Sequence, residues 1–476
     1  MAGPEAGAII VLMRLRLART LAVVLLCLAT GCSNPGPPES VATLEEPNVR
    51  PPVDRLPDII IISTDTLRPD HLGAHGYRRR TSPFLDAFAG RCAVFERAYS
   101  HASWTPPSVA SLLTSTYPPQ HGSLGRDRIV LAVANTTAAE IFAAAGYYTV
   151  AYSASPFIHP DYGFGQGFHR FGFVSDAPAD KLIDMVASDL PAIRRDHPDR
   201  PLFVYVMLFD PHFPYVPPEA DRDRFLADVP GFDPRRVIQL SSLFDVGAVV
   251  GRDTFENLRA GYDGEIAVAD RGLARLIGLL DRGELGLDPG RSFLVLTSDH
   301  GEEFLEHSGF GHGSALYEES IRALLWVREP GRQAGTRITD PVRQVDLLPT
   351  LLESAGLSAR PGLMGKSLAG MLRGEPDPGR EIYASSLHLF HQGESQRCLI
   401  RNNLKLILVR NPDRAELYDL AADPGELVNL AESRMDEVRK LGERLEQLEG
   451  GFKPVGGGAP PPGRTLDLLR RLGYIQ

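Results

Sequence analysis

Three segments of the chain are nearly unbroken apolar runs: Asp58-Ile59-Ile60-Ile61-Ile62-Ser63, Leu202-Phe203-Val204-Tyr205-Val206-Met207 and Ser292-Phe293-Leu294-Val295-Leu296-Thr297. A strand with one wet face alternates apolar and polar residues, so continuous runs of this length predict strands buried on both faces. Between them lie stretches with helical periodicity, among them Thr137 to Ala145 and Ala267 to Leu280. Strands alternating with helices imply an α/β fold, a mainly parallel sheet flanked by helices. In such folds the ligand site lies beyond the carboxyl ends of the strands. Each run ends there in a polar cluster: Asp65-Thr66-Leu67-Arg68, Asp210-Pro211-His212 and Asp299-His300-Gly301.

After about Arg373 the pattern changes. Pro376, Pro378 and Gly379 mark a boundary, a short strand is predicted over Lys405 to Val409, and a helix over Glu432 to Leu448 has Met435, Val438, Leu441, Leu445 and Leu448 on one face. A small α+β domain is therefore expected over residues 374–452, behind a larger α/β domain over 57–373. A Gly/Pro linker and a terminal amphipathic helix occupy 453–476. The sequence contains no evident internal repeat.

The N-terminus has a different logic. Met13-Arg14-Leu15-Arg16-Leu17-Ala18-Arg19 is basic, Leu21 to Ala29 is apolar but too short to span a bilayer, and Ala29-Thr30-Gly31-Cys32 is a small-residue cleavage site. The preceding twelve residues lack a basic region, which marks Met13 as the start of the signal. The Cys after the small residues resembles a bacterial lipobox, so residues 1–32 are expected to be a lipoprotein signal and Cys32 the acylated anchor to a membrane. Residues 33–56, rich in Pro and Glu and without periodicity, read as a tether. The expected location is the bacterial cell envelope, on the periplasmic or outer-membrane side. Of the four cysteines, Cys92 and Cys398 then remain; neither sits in a Cys-x-x-Cys or Cys/His cluster, and whether they pair is open.

Charge narrows the chemistry. With 60 acids, 50 bases and a formal charge of −10, the chain lacks the basic excess of a nucleic-acid binder. An anionic substrate must be held by local charge, from a metal ion or a few placed cations. A divalent cation wants carboxylate oxygens and neutral imidazoles converging from several strand ends. Asp65, Asp210, Asp299, His212, His300 and His312 supply that set. Taken singly, an Asp after a strand is more often a turn former or helix cap. Their joint occurrence with one further segment changes the weighing.

That segment is His101-Ala102-Ser103-Trp104-Thr105-Pro106-Pro107-Ser108-Val109-Ala110-Ser111-Leu112-Leu113-Thr114. It resembles the sulfatases, where Cys-x-Pro-Ser-Arg precedes an apolar helix with Leu-Leu-Thr and the Cys becomes formylglycine. Asp65 to Gly73, Thr297 to Glu302, Val345 to Thr350 and Glu416 to Leu420 with Asp423-Pro424 and Asn429-Leu430 are similar to further segments of that family, so the likeness runs from about Pro57 to Ala431. It implies an alkaline-phosphatase-like catalytic domain and places Thr105 at the nucleophile position.

The departures set the expected reaction. Thr105 cannot be oxidised to formylglycine, whose gem-diol expels sulfate by carbon–oxygen cleavage; a sulfo-threonine has no such exit. A phospho-threonine does, by in-line attack of water at phosphorus. Val109 stands where the family has Arg, the family's Gly-Lys-x-His is missing near Tyr152 to Ser155, and His312 stands where a Lys is expected. The residue order resembles two-metal phosphodiesterase relatives with a Thr nucleophile. That resemblance implies one cation on Asp65, Thr105, Asp299 and His300 and a second on Asp210, His212 and His312. His212 donating to the substrate oxyanion is the alternative. Zinc or manganese is expected, calcium if the site is single. Arg68 and His307 are read as substrate-binding, with an acid pair holding the fold as the other reading of Arg68; Glu302 and His307 line the cleft or support the ligands. The expected activity is metal-dependent cleavage of a phosphate mono- or diester or phosphonate, small or borne on a glycan or lipid. A sulfatase without formylglycine, a phospho-substituent transferase and a non-catalytic binding lipoprotein are the alternatives.

Overall fold

The computed structural model describes residues 56–125, 128–226, 252–332, 334–387 and 394–455. The expectations for residues 1–32 with Cys32, for the tether and for the terminal helix therefore lie outside the described residues.

The main sheet is built from β1 (Ile59–Thr64), β2 (Ala93–Phe95), β3 (Tyr148–Ser153), β4 (Arg170–Phe173), β5 (Leu202–Leu208), β6 (Phe293–Ser298), β7 (Leu325–Arg328) and β8 (Thr336–Ile338). Their order is β8-β2-β7-β6-β1-β5-β3-β4. β1 pairs in parallel with both β5 and β6, and β3 with β4 and β5, while β7 runs antiparallel to β2 and β6. The three apolar runs are thus the three central strands. Their side chains alternate between two cores: Ile59, Ile61, Phe203, Tyr205, Phe293 and Val295 on one face, Ile60, Ile62, Val204, Val206, Leu294 and Leu296 on the other. A fully buried side chain of this size contributes about 1.5–3 kcal/mol, which is why no polar residue interrupts the runs.

Helices α1 (Thr105–Thr114), α2 (Ala138–Ala144) and α5 (Leu347–Ser354) cover the first face, and α3 (Ala179–Asp196) and α4 (Arg252–Asp281) the second. α4 is 30 residues long, twice the length its periodicity predicts. Gly261 and Gly264 weaken the apolar pattern in its first half because another segment lies against them. A Cβ at Gly264 would stand 2.6 Å from Pro217 Cγ, and one at Gly261 3.1 Å from Tyr215. The loop that follows β5 is seated on this small-residue stretch.

The C-terminal sheet is antiparallel: β9 (Ile382–Leu387), β10 (Ser395–Arg401), β11 (Leu404–Arg410) and β12 (Arg414–Asp419) in that order. Tyr383, Leu399, Leu406 and Leu417 on one face meet Leu441 and Leu445 of α6 (Met435–Gly450). The other face packs Ile382, Ala384, Cys398 and Ile407 against Tyr99, Leu316 and Ile321 of the preceding part of the chain. Met435, predicted on the buried face of α6, is instead 73% exposed, because it is the first residue of the helix and lies beyond the sheet. Cys92 and Cys398 are both buried and unpaired, and burial pushes each thiol up to about 12. Among the described residues no helix is long and apolar enough to cross a membrane.

Candidate active site

The sheet ladder itself brings the first two acids together. Asp65 N donates to Leu208 O and Asp299 N to Thr64 O, so the carboxyl ends of β1, β5 and β6 are stitched side by side. Thr66 turns the chain away with φ +56°, a left-handed backbone rare for a β-branched residue. Its N–H donates to Asp299 Oδ1 at 3.1 Å, the His300 N–H donates to the same oxygen at 2.8 Å, and Tyr262 braces the turn by donating to Thr66 O at 2.6 Å. Asp299 Oδ1 is thereby committed, and Asp299 Oδ2 is left buried with no hydrogen-bond partner.

Thr105 arrives from the other direction as the first residue of α1. Trp104 is extended, and Pro106 and Pro107 follow where the first turn needs no donor. The buried helix is held by Ser100 Oγ to Ser108 Oγ at 2.7 Å, Ser108 Oγ donating to Ala102 O, and Ser111 Oγ to His121 Nε2 at 3.0 Å. The Thr105 hydroxyl donates to Asp65 Oδ1 at 3.3 Å and lies 3.2 Å from His300 Nε2. His300 Nδ1 is occupied by Gly301 O at 2.8 Å, which directs Nε2 to Asp299 Oδ2 at 3.4 Å and Asp65 Oδ1 at 3.8 Å. The glycine after His300 is required, since a Cβ there would stand 1.9 Å from Glu319 O.

Asp65, Asp299 and His300 each offer a ligand atom within 4.8 Å of the others, and all three are buried. Burial raises the Asp65 pKa well above the usual carboxylate range, and the charges of Asp299 and Glu302 raise it further; Asp299 is raised by burial, while His300 is pushed down to about 4. Two buried acids facing each other, one with an orphaned oxygen, beside a neutral imidazole whose second nitrogen is already engaged, fit a divalent cation.

Two more imidazoles border this cluster. The His312 ring centroid is 4.7 Å from that of His300 and 4.9 Å from that of His212. His312 Nδ1 meets Glu302 Oε1 at 2.8 Å and His212 Nδ1 meets Phe213 O at 2.5 Å. Burial pushes both down to about 3, so both are neutral.

The other sequence-predicted residues lie outside this group. Among the described residues, the group whose ligand atoms converge within 4.8 Å is Asp65, Asp299 and His300; Asp210, His212 and His312 stand outside it. Asp210 Oδ2 accepts the Ala179 N–H at 2.7 Å at the start of α3, so this acid has the capping role of many post-strand acids. Its pKa is pushed up to about 6, chiefly by burial. The Arg68 fork is engaged by Asp70 at 2.8 and 3.0 Å, Glu306 at 2.7 Å and Glu302 O at 2.7 Å, as in the acid-paired reading of this residue. His307 is likewise engaged, with Nδ1 on Glu319 at 2.6 Å, Nε2 on Glu426 O at 3.0 Å and its ring stacked 3.7 Å from Tyr317. Two residues near the centre carried no sequence signal of their own. Tyr262 sits mid-helix in α4, and Ser155 is a fully buried hydroxyl just after β3 that lies against Asp65.

The family model Sulfatase matches residues 57–357, and that for the C-terminal part of N-sulphoglucosamine sulphohydrolase matches residues 306–450. An arylsulfatase of Clostridium perfringens is 26% identical over 467 residues, covering 83% of this chain and 95% of that protein. An ulvan-active sulfatase of Formosa agariphila is 25% identical over 447 residues, covering 83% and 82%. Among solved structures, a phosphonate monoester hydrolase of Agrobacterium radiobacter superposes with TM-score 0.67 at 21% identity, over 83% of this chain and 95% of that one. A protein solved with its substrate D-glucosamine-2-N,6-O-disulfate superposes with TM-score 0.70 at 19% identity, over 84% and 99%.

Proposed function

The chain belongs to the sulfatase family, metal-dependent ester hydrolases of the alkaline phosphatase superfamily, and from that premise we propose that it cleaves a singly charged phosphodiester or phosphonate monoester with Thr105 as nucleophile. The observation that carries this is the Thr105 hydroxyl, 3.3 Å from Asp65 Oδ1 and 3.2 Å from His300 Nε2, at the head of a rigidly held helix.

A divalent cation held by Asp65, Asp299 and His300 would neutralise the two carboxylates and lower the cost of ionising the Thr105 hydroxyl. Two carboxylates with one imidazole suit manganese or zinc better than calcium. Thr105 Oγ1 bonds to phosphorus as the phosphorus–oxygen bond to the leaving group breaks; the hydroxyl proton has Asp65 Oδ1 as its acceptor, and the leaving group departs with the bonding pair as an alkoxide that takes a proton from water. The resulting phospho-threonine is cleaved by water at phosphorus, which restores the hydroxyl and releases the second product. His212 and His312 are neutral, so beside the cation they add no positive charge. That balance favours a reacting group with one negative charge over a phosphomonoester with two.

The test is a panel of aryl esters with the manganese- or zinc-loaded protein. A phosphodiester or phosphonate monoester should exceed both the phosphomonoester and the sulfate ester at least ~10-fold in kcat/KM. A peptide containing Thr105 should gain one phospho-substituent on acid quench. Faster turnover of the sulfate ester would instead support the second reading, a sulfatase acting without formylglycine, which the likeness to the Clostridium arylsulfatase favours. Relatives named for ulvan and a neighbour bound to a glucosamine disulfate support a carbohydrate-borne ester as substrate. We further propose that Cys32 is acylated and tethers the enzyme in the cell envelope; labelled fatty acid should enter the wild type and be lost in Cys32→Ala.

A further inference from the structure

Glu302, which holds His312, hangs from a short turn of helix, Glu318–Ile321: Gly301 N donates to Ser320 O and Glu302 N to Glu319 O, both at 2.9 Å. The hairpin that follows contains two non-glycine residues with left-handed backbone, Leu305 (φ 63°) and Ser308 (φ 68°), flanking His307. Such a backbone persists only where its surroundings hold it. What holds this one belongs to the C-terminal sheet. Lys405 of β11 has no exposed surface, and its Nζ lies 2.8 Å from Glu426 Oε1 and 3.2 Å from Glu318 Oε1. Glu426, itself left-handed (φ 53°) and buried, accepts the Glu318 N–H at 2.6 Å through Oε2 and meets His307 Nε2 through its carbonyl. His307 in turn reaches Glu319, whose carbonyl carries the Glu302 N–H.

The circuit is therefore Lys405, Glu426 and Glu318, His307, Glu319, Glu302 and finally His312 at the reacting centre. A fold needing only cohesion here would do as well with apolar side chains, since burying an ion pair costs several kcal/mol per ion (about as much as the pair returns). A multiply bonded cluster instead fixes positions. We propose that Lys405 is a positioning residue for the active site, setting the Glu302–His312 bond from the C-terminal sheet through Glu426, Glu318 and His307. This rests on the Thr105 site being the reacting centre, which Thr105→Ala tests separately.

The experiment uses the full chain loaded with manganese or zinc and the aryl ester it turns over fastest. Lys405→Met should lower kcat about 10-fold or more while KM and bound metal stay within about twofold, and Lys405→Arg should recover most of the loss. In the double variant with Glu302→Gln the losses should not multiply, because both act on one bond. Lys366→Met removes an exposed ion pair to Asp377 and serves as the control with unchanged rate. If Lys405→Met does not fold, His307→Gln is read by the same criteria. A folded Lys405→Met with kcat within twofold of the wild type, or losses that multiply with Glu302→Gln, overturns the proposal.

Discussion

Replacing Asp65 by Asn should stabilise the metal-free protein. The ligand atoms of Asp65 and Asp299 lie within 4.8 Å of each other in a buried site. Two unit charges at that distance repel by about 3.5 kcal/mol at an effective dielectric constant of about 20. Escape by protonating one acid costs about 4 kcal/mol at pH 7 from an ordinary carboxylate pKa of about 4, so the metal-free wild type bears a penalty of that order whether the pair repels or one acid holds a proton. Asn has nearly the same shape, still accepts from the Thr105 hydroxyl, and removes one of the two charges. For a chain of 476 residues, unfolding entropy of about 2.1 cal/mol/K per residue turns 3.5 kcal/mol into roughly 3.5 °C. The sign with pH follows from the raised carboxyl pKa values. A group raised in the folded state contributes stability below its unfolded pKa and loses it as pH rises through the folded one, so the wild type is penalised at high pH. Differential scanning fluorimetry in chelator should therefore show the gap in favour of Asp65→Asn largest at pH 8 and closing towards pH 4. Manganese or zinc at a hundredfold excess over Kd stabilises the wild type by about 2.7 kcal/mol and should bring the two together, the variant gaining little. A variant that melts at or below the chelated wild type at pH 8, or a gap that widens on acidification, would refute the charge-repulsion argument.

Thr105→Ala should abolish turnover by at least about 10³-fold with metal content unchanged, whereas Thr105→Ser keeps a hydroxyl and should stay within about 10-fold; kinetics and elemental analysis of the same preparations decide. Elemental analysis should also find one tightly held divalent ion per chain, since one group of three ligands converges, and two would restore the pair of sites. Burial pushes His212 and His312 down to about 3, so a pH profile of kcat should show no step near 6.5 from either of them, where an unperturbed imidazole would give one. Arg68→Met should cost about 1–2 kcal/mol in stability, since Asp70 and Glu306 keep access to solvent once the guanidinium is gone, measurable by denaturant melts.

The sheet was largely legible because its cause is local: unbroken apolar runs have nowhere to go but between two helical layers, and the ends of those runs locate Asp65 and Asp299 without reference to anything distant. His300 followed from adjacency to Asp299. What could not be read was side-chain direction after the strands end. Asp210 and Asp65 occupy equivalent positions in sequence, one residue or two beyond a buried run, yet Asp210 bonds the first N–H of α3, which comes from 31 residues upstream. Arg68 and His307 look free in sequence because their partners, Glu306 and Glu426, are brought in by tertiary packing. The same holds for the reach of α4 towards the loop after β5, where glycines that weaken a helical pattern serve close approach.

Cys92 and Cys398 are both buried, unpaired and too weakly acidic to react. Reducing agents should thus leave the melting curve of this domain where it stands, and a maleimide dye added to the native protein should reach neither of these two thiols until the chain opens. Its time course would then report unfolding of two separate places: Cys92 beside the edge of the large sheet and Cys398 inside the small one.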